Sequence, residues 1–105
     1  MENEVKNGRY VDKYGTVRWY KDGVLHRLDG PAKENSDGDK YWYLNDKLHR
    51  EAGPAVEDAS GYKEWWMNGV QYSKEEFNQW LEKYQLNKKL EATLEVKPSI
   101  KKAKI

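Results

Sequence analysis

The sequence predicts a mostly β protein: a row of antiparallel β-hairpin repeats with a 23-residue period, followed by a C-terminal capping α-helix. Three observations carry that prediction. First, three tandem units start at Gly15, Gly38 and Gly61 and read, in register, GTVRWYKDGVLHRLDGPAKENSD, GDKYWYLNDKLHREAGPAVEDAS and GYKEWWMNGVQYSKEEFNQWLEK. A fixed period of this length marks a repeat architecture in which each unit buries its apolar face against its neighbours. Second, each unit alternates β-branched or aromatic runs with turn dipeptides. Third, the spacing of apolar residues changes from strand-like to helical after Val70.

In chain order, Asn7-Gly8 is a turn signal. Tyr10-Val11 and Lys13-Tyr14-Gly15 then form the front half of a hairpin completed by Thr16–Tyr20. Val17–Tyr20, Tyr41–Leu44 and Glu64–Met67 are rich in strand-forming residues. Asp22-Gly23, Asn45-Asp46 and Asn68-Gly69 follow them, dipeptides that tolerate positive φ and close tight hairpins. Val24–Arg27 and Lys47–Arg50 read as short strands, broken by Gly30-Pro31 and Gly53-Pro54. Proline lacks an N–H and sits at a strand start or a bend. Ala32–Glu34 and Ala55–Glu57 are the return strands.

The third unit diverges after Val70. Ser73 and Glu76 fit a capping box, and Phe77, Trp80, Leu81 and Tyr84 fall at helical spacing. This predicts a helix over about 73–84 that covers the last hairpin, so that residues 1–84 form one domain. Leu90, Ala92, Leu94 and Val96 alternate with polar residues, which predicts a half-buried strand ended by Pro98. A basic tail holding Lys101, Lys102 and Lys104 completes the 85–105 segment.

Composition narrows the function. The 105 residues are one domain by length and can bury roughly 65% of their unfolded surface. Only 37% are apolar, and five Trp and eight Tyr supply the bulk expected to form the core. Residues 1–84 hold 13 Lys and Arg against 16 Asp and Glu, a net of −3. Residues 85–105 hold 6 Lys against 2 Glu, a net of +4. Nucleic acid is therefore not the default partner. The chain has no cysteine, which removes disulfides, thiolate zinc sites and a thiol nucleophile. MENEVKNGRY has no apolar core, so no signal peptide is expected, and no stretch approaches the ~20 apolar residues of a membrane span.

The residues most suggestive of function recur with the period. Adjacent strand residues face opposite sides, so Trp19, Trp42 and Trp65 form one ladder and Tyr20, Tyr43 and Trp66 the other. Two readings stand. In one, the second ladder, flanked by Arg18 and Tyr41, is a partner-binding face, since Tyr and Trp dominate binding hot spots. In the other, both ladders are cross-strand packing. His26-Arg27 and His49-Arg50 invite a metal or acid–base reading. However, a catalytic zinc needs three protein ligands, and simple repetition explains the pairs as structure or as partner contacts. No catalytic residue, metal or cofactor is expected. Gly30-Pro31-Ala32 and Gly53-Pro54-Ala55 set a backbone path and do not form a phosphate loop.

The pattern W-Y-x-D/N-G-x-L-H-R-x-x-G-P-A resembles the MORN-like hairpin repeats of small proteins from phages, large DNA viruses and some bacteria. The resemblance covers 15–72, and Y-S-x-E-E-F-x-x-W at Tyr72–Trp80 looks like the family's ending. It implies a row of hairpins serving as a scaffold or as a binding surface for proteins or lipids, and no activity. The expected function is that of a non-enzymatic, cytoplasmic protein-binding module. By analogy it is a phage-type accessory protein that binds and inhibits a host factor, including a defence protein. The alternative is a nucleic-acid binder using the basic tail and the Arg/Tyr surface. A homodimer through an edge strand, with Leu90–Val96 as the candidate contact, is a further expectation.

Overall fold

The computed structural model describes residues 4–96, with side chains described as far as Ala92. The basic tail expected at 97–105 lies outside the described residues. The chain divides into Met1–Lys74 and Glu75–Ile105. The division falls there and not at 84/85, because the helix runs uninterrupted past Tyr84.

The first unit is antiparallel β. Its strands are β1 (Gly8–Val11), β2 (Val17–Lys21), β3 (Val24–Leu25), β4 (Lys33–Glu34), β5 (Lys40–Tyr41), β6 (Tyr43–Leu44), β7 (Lys47–Leu48), β8 (Val56–Glu57), β9 (Lys63–Met67) and β10 (Val70–Tyr72). The main sheet runs β1-β2-β4-β5-β8-β9-β10. β3 pairs with β2 off that path, and β6 and β7 make a separate two-stranded sheet. β2 therefore branches: Val17 and Arg18 pair with Glu34 and Lys33, whereas Tyr20 and Lys21 pair with Leu25 and Val24.

The tight turns follow from backbone chemistry. Asp22 and Gly23, Asn45 and Asp46, and Asn68 and Gly69 all have positive φ, the conformation that a two-residue type I′ hairpin demands. Asp46 adopts it without glycine's freedom. Its carboxylate accepts the Leu25 N–H at 2.7 Å, a contact that glycine cannot make.

Three structural differences from expectation stand out. The strand expected over Tyr41–Leu44 breaks at Trp42, between β5 and β6, although Trp42 N–H donates to the Ala55 carbonyl at 2.8 Å just as Trp19 N–H donates to the Ala32 carbonyl within the unbroken β2. The Trp and Tyr residues do not form the buried core; among the described residues Phe77, at 3% exposure, is the one buried aromatic. Ala32 and Ala55 are fully buried, with Val56 and Met67 beside them in the buried set, while all six ladder rings are half-buried. Ala32 lies between two strands: its N–H donates to Tyr41 O and its carbonyl accepts from Trp19 N–H.

The third difference lies in the second unit. Helix α1 spans Lys74–Val96, so Leu90–Val96 is helical and is not an edge strand. No Gly or Pro interrupts 74–96, and Lys, Gln, Leu, Ala and Glu dominate its second half, all good helix formers. Four alternating apolar residues could not override that run. The Leu90–Val96 contact proposed for a homodimer is lost with the strand. The helical stripe does form: Phe77 and Trp80 stack at 6.1 Å, and Trp80 and Tyr84 at 4.9 Å. Among the described residues, no helix is long and apolar enough to cross a membrane.

Candidate functional site

The His-Arg and Gly-Pro-Ala motifs meet in space. Arg27 folds back over Trp19, its guanidinium carbon 4.0 Å from the ring centroid. It donates to the Pro31 carbonyl at 3.2 Å and to Asp29 at 3.0 Å. Arg50 lies 3.8 Å from the Trp42 centroid, donates to the Pro54 carbonyl at 3.0 Å and stands 3.7 Å from Glu57. Each guanidinium thus has a ring face, a backbone acceptor and a carboxylate. At Gly30 the missing side chain admits the arginine: a Cβ there would sit 2.9 Å from the Arg27 guanidinium carbon, whereas at Gly53 it would meet Arg50 at an ordinary 3.5 Å. The proline carbonyl is the acceptor. These arginines fasten the loops after β3 and β7, and their charge is spent on that task.

The histidines fasten one hairpin to the next. Nδ1 of His26 accepts the Asn45 N–H at 3.1 Å, and Nδ1 of His49 accepts the Asn68 N–H at 2.9 Å. The adjacent turn amides, Asp46 N–H and Gly69 N–H, donate to the Leu25 and Leu48 carbonyls at 2.8 and 2.9 Å. A ring nitrogen that accepts must be unprotonated, so each neutral imidazole carries its hydrogen on Nε2. Nε2 of His49 stands 3.6 Å from Glu51. Asn7, expected only as half of an Asn7-Gly8 turn, instead precedes β1, which starts at Gly8, and does the same work one hairpin earlier: its Oδ1 accepts Asp22 N–H at 2.9 Å, and Lys6 O accepts Gly23 N–H at 2.9 Å.

The other candidate residues serve their own strands. Arg18 pairs with Asp12 at 2.9 Å. Tyr20 meets Tyr10 edge-on at 5.5 Å, with the Lys6 ammonium 5.1 Å from its ring. Lys33 lies over Tyr41 at 5.1 Å. Burial, more than the nearby acids, raises the Tyr41 phenol pKa, and burial likewise raises that of Tyr43. Trp66 Nε1 donates to Glu64 at 2.8 Å, and Glu64 also accepts from the Tyr62 hydroxyl at 2.8 Å, which raises the Tyr62 pKa.

A second recurring device went unread in the sequence. Oδ1 of Asp12 accepts Tyr14 and Thr16 N–H, that of Asn35 accepts Asp37 and Asp39 N–H, and that of Asp58 accepts Ser60 and Tyr62 N–H. One Asx side chain therefore clamps each strand-to-strand turn.

Of the nine candidate residues, the structure gathers Arg27, His49 and Arg50 on one open groove of about 570 Å³. Its wall is Trp42 and Leu44, and its rim holds Leu28, Asp29 and Glu51. Arg18, Tyr20, Tyr41, Tyr43, Trp66 and His26 do not line it. Leu28 is 82% exposed, and nothing in the repeat pattern singles it out, since Glu51 stands at its place in the next unit. Among the described residues, no group of three or more His, Cys, Asp or Glu could hold a metal ion. The groove therefore offers an apolar wall, two guanidinium groups already engaged, and a rim with carboxylates. Comparison with known proteins gives no matching family model, no matching curated protein and no matching solved structure.

Proposed function

We propose that this chain is a non-enzymatic protein-binding module built of MORN-like hairpin repeats. Its contact site is the groove between the loops that follow β3 and β7. One observation carries the reading: a large side chain, Leu28, stands 82% exposed at the rim of a groove walled by Trp42 and Leu44. The groove's volume falls within the range of ordinary binding clefts, roughly 300–1,000 Å³. Binding clefts are concave and lined mainly by apolar and aromatic side chains with a few polar groups, and here Leu28, Leu44 and Trp42 stand beside the rim carboxylates.

The rim charges indicate the partner's chemistry. Arg27 and Arg50 are occupied, while the Asp29 and Glu51 side chains are 86% and 48% exposed. The fitting partner is a protein segment that places one apolar side chain in the groove next to a Lys or Arg. By the MORN-like resemblance, the reading extends to accessory proteins of phages that bind and inhibit a host protein, including a defence protein.

The test is affinity capture from a host lysate with the wild type, Leu28→Asp, and Val70→Asp as a control exposed on β10. A protein captured by the wild type and Val70→Asp but not by Leu28→Asp supports the reading. Capture that is indifferent to Leu28, or nuclease-sensitive nucleic acid in place of protein, overturns it.

A further inference from the structure

We infer that His26 and His49 are acid-labile joints between successive hairpins. Three joints of identical construction connect the hairpin turns to the strands beside them. In each, two consecutive turn amides donate, the first to a side chain and the second to the carbonyl before it. The side-chain acceptors are Asn7 Oδ1, His26 Nδ1 and His49 Nδ1, at 2.9, 3.1 and 2.9 Å. Asparagine makes the joint without titrating, so the geometry itself does not require an imidazole. Histidine is the side chain whose charge ordinarily changes between about pH 5 and 8.

A proton on Nδ1 turns the acceptor into a donor. It then faces the N–H of Asn45 or Asn68 at hydrogen-bonding distance, and the joint must open or the ring must rotate away. The joints hold while the imidazoles are neutral and fail as pH falls through their protonation, and the Asn7 joint persists throughout. The groups around the first joint are Asp46, whose carboxylate already holds Leu25 N–H, Arg27, and Tyr43, whose carbonyl accepts Arg27 N–H at 3.2 Å. Around the second are Glu51 at 3.6 Å, Arg50, Lys47, whose side-chain stem lies against Gly69, and Arg27 and Asp29 on the shared groove. Glu51 faces Nε2, which bears a hydrogen in either charge state, so it does not relieve the clash at Nδ1. Because His49 lines the groove, opening its joint changes the groove wall.

The experiment uses ¹⁵N-labelled full chain at about pH 7.5 and pH 5. Amide protection is referred to the intrinsic exchange rate at each pH, with Asp22 as the internal control. A lost hydrogen bond lowers local protection by about 2- to 10-fold. The expected result is that drop at Asn45 and Asn68 with no drop at Asp22, and imidazole spectra at the higher pH showing the Nε2–H tautomer. In the double variant His26→Asn, His49→Asn, all three amides should hold at both pH values. Equal behaviour of the three amides in the wild type overturns the inference. So does an Nδ1–H tautomer, or an acid response that survives in the double variant.

Discussion

Replacing Gly30 by alanine should destabilise the protein, whereas the same change at Gly53 should not, although the two glycines hold equivalent places. A Cβ at Gly30 would lie 2.9 Å from Cζ and Nη1 of Arg27; at Gly53 the same atoms of Arg50 are 3.5 Å away, an ordinary contact. Neither glycine has positive φ, so alanine meets no backbone strain at either site. The guanidinium can move, and the cost is what it leaves behind. Leaving the Trp19 face forfeits about 0.5–1 kcal/mol. Leaving the Pro31 carbonyl forfeits about 1 kcal/mol. The Asp29 pair adds little, because Asp29 is exposed. Against this, alanine restricts the unfolded chain and returns about 0.4–1 kcal/mol. Gly30→Ala should therefore cost about 1 kcal/mol net, and Gly53→Ala should stabilise by up to about 1 kcal/mol. Urea unfolding followed by Trp fluorescence and far-UV circular dichroism measures both. In an Arg27→Met background, Gly30→Ala should lose its penalty, because the pair is coupled. Equal effects at the two glycines, or a penalty that survives Arg27→Met, would refute the fastening role of the arginine.

Three further outcomes follow from the same geometry. The Asp12 carboxyl is held below its usual range first by Arg18, and that of Asp58 first by the Ser60 hydroxyl, with turn amides adding to both. Their stabilising contribution is whole above the unfolded carboxylate value, about 3.9, and is lost as pH falls through the lower folded values. Carboxyl NMR titration should place both below a short peptide containing the same residues, and coincidence with the peptide would count against the clamps. For Tyr43 the sign reverses. Burial raises its phenol, with Tyr41 and Asp46 adding, so its contribution is whole below about pH 10 and is lost as pH rises through the higher folded value. Tyr43→Phe should therefore flatten the alkaline fall in Tm, and an unchanged fall would place the effect elsewhere. Finally, Leu90→Pro should reduce the 222 nm helical signal, because α1 continues to Val96; an unaltered signal would mean that the helix stops near Tyr84.

The legible parts of this fold are those whose cause lies within a few residues. Asp22-Gly23 and Asn68-Gly69 declare their turns because both positions need positive φ, and the helix start at Ser73 declares itself by local chemistry. The illegible parts depend on contacts made across a repeat. That Ala32 and Ala55, not the Trp and Tyr residues, are fully buried is set by the packing of strands distant in sequence, such as those joined by Trp19 N–H to Ala32 O and Trp42 N–H to Ala55 O. The role of His26 depends on an amide nineteen residues away, so the recurring His-Arg pair announced importance without announcing a task. Asn7 was read only as a turn residue, because its equivalence to His26 is one of geometry: it lies fifteen residues from the amide it holds and His26 nineteen. Of the groove, the arginines and His49 were legible, and Leu28 was not.

The third unit, from Gly61, keeps part of the motif and loses the rest. It keeps the ring at Trp65, paired in register with Tyr72, but it has Tyr72-Ser73 where the others have His-Arg, and no Gly-Pro-Ala follows. Were glycine and proline there merely to turn the chain, their loss would be independent of the arginine's. They disappear together. Without a guanidinium, no side chain lies against a bare Cα as Arg27 does at Gly30, and no proline carbonyl is wanted as an acceptor. The imidazole goes as well, and among the described residues a helix, not a further hairpin, follows. Trp, His, Arg, Gly and Pro are therefore parts of two coupled fastenings, one within a unit and one between units.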